Sequence, residues 1–185
     1  PDPIRPFRLL QPDPFIPMPR ELLILRHAKS DWEAGASGDF DRPLAKRGRK
    51  DAPRVGEWLF REGLVPDLVV SSPAERAKQT ALRVCESMDF KKKRIVWDDA
   101  IYGASLPRLL GVLARCPRDA STVLLVGHNP GLEELVTYLA GEGGIERPAD
   151  GKLLTTAALA RLEMPKDWSK LDPGCAELLA VTRPR

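Results

Sequence analysis

The sequence is poor in the residues from which disulfide frameworks and metal sites are built. It contains only three cysteines, which are far apart and form no CxxC pair, and only two histidines, His27 and His128. Such spacing favours neither a disulfide framework nor a zinc site. We therefore expect a reducing, cytoplasmic environment, and any histidine chemistry must use one or both of these two residues.

Long apolar runs and a large excess of one charge are missing as well. No apolar run approaches the roughly 20 residues that cross a bilayer, and the N-terminus lacks the pattern of a secretory signal. The formal net charge is +3, far below the concentrated basic surface that nucleic-acid binding usually requires. We expect neither a membrane nor a nucleic acid as partner, whereas an anionic ligand is compatible with this charge.

The length and composition are those of one globular domain: 185 residues, of which 43% are hydrophobic. Residues 1–20 hold seven of the 18 prolines and show no helical or alternating pattern. They predict an extended arm outside a folded domain at 21–185. Phe7, Leu10 and Phe15 would dock this arm on its own domain or on a second subunit, so a homo-oligomer joined through the arm is one expectation.

Short apolar runs alternate with amphipathic stretches, which is typical of an α/β fold. The runs at 22–26, 67–71, 94–97 and 122–126 are continuously apolar, as expected for central strands covered on both faces. Two more strands are predicted near the C-terminus, at 156–162 and 176–182. The pattern predicts three layers, with a mainly parallel sheet between helices on both faces.

Two helix starts carry strong signals. Ser72 and Asn129 each precede a proline, and Glu75 stands where a capping box would place it. The pattern predicts that Ser72 and Asn129 are N-caps, each with proline at the first helical position.

Charged and polar side chains follow three of the predicted strands. Arg26 and His27 end the first run, Ser72 follows the second, His128 follows the fourth, and Arg76 lies in the first turn of the next helix. Ligands of open α/β sheets bind at this carboxyl edge, beside helix N-termini. Each residue alone could be an ordinary surface or turn residue, and two histidines could hold a metal. Two arginines among them would repel a cation, so the set favours a phosphate dianion.

Four sequence blocks then identify a family resemblance. RHAKSDW at 26–32, DFDRPLAKRG at 39–48, SSPAERAKQT at 71–80 and VGHNPGLEEL at 126–135 resemble, in order and spacing, the histidine phosphatase superfamily. The likeness is to its small bacterial phosphohistidine-phosphatase branch, of the SixA type, and covers roughly residues 21–183. It implies a phosphoglycerate mutase-like fold without a large cap domain.

The resemblance implies a role for each matching residue. His27 would be the nucleophile, transiently phosphorylated, and Arg26, Arg76 and His128 would bind the phosphoryl group. Ser72 and Asn129 are further candidates for binding the substrate. The chemistry is consistent, since a neutral imidazole can attack phosphorus and arginine forks stabilise the transferred charge. A protonated His128 would add another cation.

A general acid for the leaving group is harder to assign. Resemblance to larger superfamily members points to Asp99, while Asp98, Asp39 and Asp41 are alternatives. An imidazole leaving group would need little help from an acid. Nearby, Arg42 reads as part of a structural ion pair, and Lys29, Ser30 and Trp32 as loop residues that border the pocket or pack beside it.

The short interval 77–127 leaves no room for a cap over the site. An open pocket suits a phosphorylated side chain on another protein, so we expect a protein phosphohistidine phosphatase that needs no cofactor. The alternatives are a phosphatase of small phosphate esters with loose specificity, and a non-catalytic module that only binds phosphate.

Overall fold

The computed structural model describes residues 19–146 and 148–183. Most of the predicted arm, including Phe7, Leu10 and Phe15, lies outside the described residues. Its docking and the homo-oligomer it would form therefore stay predictions. Arg20, which the sequence analysis assigned to the arm, already belongs to the first strand.

A six-stranded mixed sheet forms the middle of the molecule. Its strands are β1 (Arg20–Arg26), β2 (Leu68–Ser71), β3 (Ile95–Trp97), β4 (Thr122–Gly127), β5 (Leu159–Met164) and β6 (Glu177–Thr182). Their order across the sheet is β3-β2-β4-β1-β5-β6. The pairs β3–β2, β2–β4 and β4–β1 are parallel, and β5 is antiparallel to both of its neighbours. The predicted α/β fold with a mainly parallel sheet is confirmed.

Four helices cover the two faces of this sheet. They are α1 (Lys46–Arg61), α2 (Glu75–Ser87), α3 (Leu106–Ala114) and α4 (Gly131–Ala140). Alternate residues of β1 enter opposite cores: Leu23 and Leu25 pack with α1 and α2, whereas Leu22 and Ile24 pack with α3 and α4. This alternation follows from the two-residue period of a strand, and it explains why the whole run is apolar.

One predicted strand position is wrong. β3 was expected at the centre of the sheet, but it lies at an edge and pairs only with β2. Its side chains Val96 and Trp97 are 46% and 40% exposed. An apolar run of three residues does not distinguish an edge strand from a central one, because both kinds of strand are rich in the same β-branched and aromatic residues.

Both predicted helix caps are also wrong. α2 begins at Glu75 with Ala74 in the N-cap position, and α4 begins at Gly131 with Pro130 in that position. Glu75 accepts a hydrogen bond from Gln79 instead of closing a capping box. The side chains predicted to cap these helices are used in the pocket described below.

The interval between β2 and β4 contains only two helices, two helical turns, one short strand and their connections. The chain passes through α2, a short helical turn at Lys92–Arg94, β3, a second turn at Asp99–Ile101 and α3 before it enters β4. No cap domain is inserted there, as predicted. Within the described ranges, no helix combines the length and the apolarity needed to cross a bilayer.

The contact between α1 and α2 predicts a stability difference between two glycines. A Cβ at Gly56 of α1 would lie 2.3 Å from the Val84 carbonyl oxygen of α2, whereas a Cβ at Gly111 of α3 would meet nothing closer than 3.8 Å. We expect Gly56→Ala to lower the free energy of unfolding by about 1–3 kcal/mol. Gly111→Ala should raise it by roughly 0.5–1 kcal/mol. Urea unfolding of both variants measures this, and equal effects would contradict the close approach.

Candidate active site

The register of the sheet brings the two histidines together. Arg26 at the end of β1 pairs with Gly127 at the end of β4, and the His27 amide donates to the Gly127 carbonyl at 3.0 Å. Each histidine is the next residue beyond its strand. Their ring centroids are 5.1 Å apart and the ring planes are inclined by 53°, so two residues a hundred positions apart share one pocket.

A cavity of about 210 Å³ opens between these rings. It is large enough for a phosphoryl group and a few water molecules, and four of the residues that line it are basic side chains other than histidine. The lining consists of Arg26, His27, Lys29, Ser30, Trp32, Arg42, Arg76, His128, Asn129 and Thr156.

The hydrogen bonds of His27 define its tautomer. Its Nδ1 lies 2.8 Å from the Ala28 carbonyl oxygen, which can only accept. Its Nε2 lies 3.3 Å from Nε of Arg76, which can only donate. The proton is therefore on Nδ1, and the lone pair of Nε2 accepts from Arg76 at the pocket and can attack once Arg76 gives up that bond. A second contact holds this segment, because the Ala28 amide donates to Thr80 of α2 at 3.0 Å.

Burial and neighbouring charges keep His27 neutral. The residue is 7% exposed, and burial is the main cause that lowers its pKa from 6.5 to about 4. The positive charges of Arg76, Arg26 and Arg42 lower it further. The ring is therefore unprotonated at neutral pH, as a nucleophile must be.

His128 is neutral in this structure, which differs from the protonated state expected from the sequence. Burial, and then the proximity of His27 and Arg76, lower its pKa to about 3. Its Nε2 lies 2.9 Å from the Ser72 hydroxyl, and the Tyr102 ring packs edge-on at 5.5 Å. An anion in the cavity would favour the protonated form, so the charge expected on His128 requires a bound phosphoryl group.

Ser72 and Asn129 hold parts of the pocket instead of capping helices. Ser72 accepts a long 3.3 Å bond from the Ala74 amide, while its hydroxyl faces His128. The Asn129 amide group donates to Glu133 and to the Leu154 carbonyl, both at 2.9 Å. Both side chains thus form hydrogen bonds around the pocket.

Three buried polar atoms around the pocket have no hydrogen-bond partner among the described residues. They are Nε of Arg26, Nδ1 of His128 and Oδ1 of Asn129. Arg26 is otherwise held by a 2.8 Å bond from its guanidinium to the Leu154 carbonyl. Buried polar groups are normally paired, so their clustering here indicates that the pocket binds a polar ligand.

The carboxylate of Asp39 is hydrogen-bonded to the guanidinium of Arg76. Arg76, 5% exposed, donates to the Asp39 backbone carbonyl at 2.6 Å and to its carboxylate at 2.9 Å. Arg42 and the hydroxyl of Tyr102 donate to the same carboxylate. The hydrogen bond from Arg42 is the main cause that lowers the pKa of Asp39 far below its usual range. This carboxylate is therefore ionised at neutral pH.

The other three candidate acids do not reach the pocket through any contact. Asp99 is exposed, and its carboxylate forms no hydrogen bond or ion pair within the described part of the chain. Asp98 bonds to Arg115 and to the Ala100 amide, and Asp41 accepts from Ser37. The structure thus brings Asp39 to the pocket, whereas Asp99, the position favoured by resemblance, is not among the residues that line the cavity.

The residues that border the pocket are more directly involved than the sequence suggested. Arg42 forms the expected ion pair, with Asp39, and also bonds to Ser30 and lines the cavity. Trp32, expected either to border the pocket or to pack beside it, lines the cavity, is 73% exposed, and its ring covers the Arg42 guanidinium at 3.6 Å. A cation–π contact of this kind keeps Arg42 in place without burying the tryptophan.

Sequence reasoning missed two contributors. One is Tyr102, which contacts both Asp39 and the His128 ring. The Leu154 carbonyl positions Arg26 and Asn129. A backbone carbonyl leaves no signal in a sequence, whereas a tyrosine shortly after a strand end is a signal that sequence reasoning can use.

In residues 19–146 and 148–183, no three His, Cys, Asp or Glu side chains form a group that could hold a metal ion. The cations of the pocket are the arginine side chains.

Comparisons with known proteins agree with the geometry. A family model described as "Histidine phosphatase superfamily (branch 1)" matches residues 22–100. An uncharacterized protein of Mycobacterium tuberculosis is 32% identical over 164 residues, which cover 87% of this chain and 100% of that protein. Among solved structures, the "putative phosphohistidine phosphatase SixA" of Nakamurella multipartitia is 30% identical, with a TM-score of 0.74 over 89% of this chain and 96% of that one. The protein of the same description from Agrobacterium tumefaciens is 28% identical, with a TM-score of 0.75 over 90% and 99%.

The two lowered histidine pKa values predict how stability depends on pH. An unfolded chain protonates both rings near pH 6.5, while the folded chain does so only near pH 4 and pH 3. Between pH 6.5 and 4 the unfolded state binds more protons, so stability is complete above pH 6.5 and falls as the pH drops towards 4. Urea midpoints measured at pH 8, 7, 6 and 5 should show this decrease.

The control uses the fact that the chain has only two histidines. A His27→Asn/His128→Asn double variant should lose most of the decrease between pH 7 and pH 5. An unchanged slope in that variant would show that the two rings titrate normally in the folded chain.

Proposed function

Because the chain belongs to the histidine phosphatase superfamily, we propose that it removes the phosphoryl group from a phosphorylated histidine on another protein, through a phosphoenzyme formed on His27. The observation that carries this choice of substrate is the hydrogen bonding of Asp39, whose carboxylate accepts from Arg42, Arg76 and Tyr102 and is therefore held in its ionised form. The pocket therefore offers strong anion stabilisation, and the carboxylate in contact with its arginines has no proton to give.

The first step transfers the phosphoryl group to the enzyme. The Nε2 lone pair of His27 attacks phosphorus, and the P–N bond of the substrate breaks. The electron pair of that bond goes to the substrate nitrogen, which leaves as neutral imidazole because its other ring nitrogen carries a proton. On the enzyme, the Ala28 carbonyl accepts from Nδ1–H of His27 and so stabilises the positive charge that develops on the attacking ring.

The second step returns the enzyme to its starting state. Water attacks the phosphorus, and the bond to Nε2 breaks with its electron pair returning to that nitrogen. The two hydrogens of the water leave with the phosphate, one of them passing on to solvent. Since His27 keeps its Nδ1 proton throughout, the ring is a neutral leaving group here too.

The arginines supply the stabilisation that phosphoryl transfer needs. Charge builds on the non-bridging oxygens in the transition state, and preorganised donors in a site with little water stabilise it most. Arg26 has an unpaired Nε, and Arg76 can exchange its bonds to Asp39 for bonds to phosphate. A protonated His128 would complete the set once the dianion is bound.

The leaving group distinguishes this proposal from a phosphatase of small esters. An alkoxide leaving from a sugar phosphate must gain a proton, and an ionised Asp39 cannot give one. An imidazole leaving group has no such need. The small cavity, which is lined by the 73% exposed Trp32, is also accessible to a side chain presented by a protein surface.

No metal has a role in this proposal, because the arginines provide the positive charge that a metal would supply. Activity should therefore persist in the presence of chelators. The three free cysteines suit a reducing compartment, and we propose the cytoplasm as the location.

A side-by-side turnover assay tests the substrate and the nucleophile together. We expect the wild-type chain to hydrolyse a phosphohistidine protein fastest, an aryl phosphate more slowly and sugar phosphates least, in the order of leaving-group quality. His27→Ala should abolish all three activities. Brief exposure to a phosphohistidine donor should label His27 with phosphate that is stable to base and labile to acid.

Two results would reject this reading. Fastest turnover of sugar phosphates would favour a small-ester phosphatase. Binding of phosphate without labelling or turnover would favour a non-catalytic module.

A second prediction concerns Arg76. Removing one preorganised donor to the transferred group typically costs about 100- to 1000-fold in rate, so Arg76→Ala should lower kcat by that amount and leave the fold intact. Arg108→Ala, on the exposed side of α3, removes the same side chain away from the pocket and should leave kcat unchanged. Circular dichroism checks the fold of both variants, and an Arg76→Ala kcat near wild type would exclude this residue from the site.

A further inference from the structure

A second, larger cavity adjoins the phosphate pocket. It has a volume of about 930 Å³ and lies between the start of α1 and the chain that leads into β5. Lys29 and Thr156 line both cavities, so the larger one opens at the mouth of the smaller. We call it the basic groove, lined by Lys29, Lys46, Arg47, Lys50, Asp51, Arg54, Thr155, Thr156, Ala157 and Arg183.

The basic groove concentrates positive charge. Six of its ten lining residues are lysine or arginine and one is acidic, so it carries a larger excess than the +3 of the whole chain. Asp51 pairs with Arg47 at 3.2 Å and with Arg54 at 3.4 Å. Three lysines are exposed and form no ion pair with any residue in the described ranges: Lys29, Lys46 and Lys50.

This arrangement is unfavourable for α1 in the absence of an anion. The first turn of the helix contains no acidic residue, and Ala45 in the N-cap position offers no side-chain hydrogen bond. Lys46, Arg47 and Lys50 therefore lie near the positive end of the helix dipole, where cations are destabilising. An anion bound in the groove would offset both the uncapped amides and the mutual repulsion of the cations.

Resting on the function proposed above, we propose that the basic groove binds an acidic segment of the protein substrate, next to the histidine whose phosphoryl group enters the smaller cavity. The groove has more than four times the volume of that cavity, which suits several side chains more than one additional phosphate. Lysines that extend along a groove as separate mobile charges match a row of carboxylates.

The composition of the groove argues against a nucleic acid in the same place. Single-stranded nucleic acids are held largely by bases stacking on aromatic side chains. None of the ten residues that line the groove is aromatic. Charge alone, without stacking, fits an acidic peptide better.

The proposal predicts that acidic residues near the phosphohistidine raise kcat/KM, mainly through faster association, and that salt weakens this effect. The test compares two phosphohistidine peptides of equal length, one with aspartate and glutamate on both sides and one with neutral flanks. Phenyl phosphate, which is too small to reach the groove, reports on the phosphate pocket alone.

The variant for this test reverses two charges in the groove, Lys46→Glu/Lys50→Glu. Its matched control is Lys91→Glu/Lys93→Glu, which makes the same change in net charge at exposed positions before β3, at the amino edge of the sheet. At low salt we expect the wild type and the control variant to prefer the acidic peptide by about tenfold, from a few surface charge pairs. The groove variant should lose this preference and keep the wild-type rate on phenyl phosphate.

A binding measurement separates the groove from the catalytic proposal. Fluorescence anisotropy of the unphosphorylated acidic peptide requires no turnover, and its affinity should fall about tenfold in the groove variant only. If that occurs while neither phosphohistidine peptide is hydrolysed, the groove inference stands and the proposed function fails. If both peptides are hydrolysed equally well by the wild type, the function stands and the groove inference is overturned.

Two other ligands serve as competing outcomes. Inorganic tripolyphosphate and a single-stranded oligonucleotide are titrated into the same three proteins. Loss of binding to either one in the groove variant, together with no preference for the acidic peptide in the wild type, would overturn an acidic protein segment as the occupant.

Discussion

The parallel pairing of β1 with β4 is the constraint on which the pocket depends. Its register sets Arg26 opposite Gly127, so that the residue after each strand is a histidine and the two rings face one cavity. β2 lies on the other side of β4 and brings Ser72 to the same edge, followed by α2 with Arg76. A slip of this register would separate groups that no other contact could bring back together.

Burial among cations then determines the chemistry of these groups. An imidazole surrounded by guanidinium groups keeps its lone pair, because protonation would place another positive charge in a site with little solvent. The Ala28 carbonyl selects the tautomer whose lone pair faces the pocket. The burial and positive charges that lower the pKa of His27 thus keep the ring neutral and nucleophilic. The same positive charges attract an anion to the pocket.

The sequence predicts the strands and the convergence of the pocket because both follow from continuous apolar runs and from what stands at their ends. It fails where tertiary contacts change a local preference. Ser72 and Asn129 look like helix caps, but His128 and the Leu154 carbonyl take their side chains. β3 looks central in the sequence because a short apolar run does not show whether a strand has one neighbouring strand or two. Asp39 lies at the pocket because of the path of the loop that carries it, and no local sequence pattern specifies that path.

The carboxylate of Asp39 on the Arg76 fork makes ligand binding an exchange reaction. An anion that binds to the Arg76 fork displaces a monoanion held by two arginines and a tyrosine. A carboxylate or chloride gains little from such an exchange, since one negative charge replaces another. A phosphoryl dianion brings one more negative charge to the arginines, so it gains more electrostatic energy from the exchange. The pocket thereby discriminates by valence, and this selectivity operates before the shape of the ligand matters.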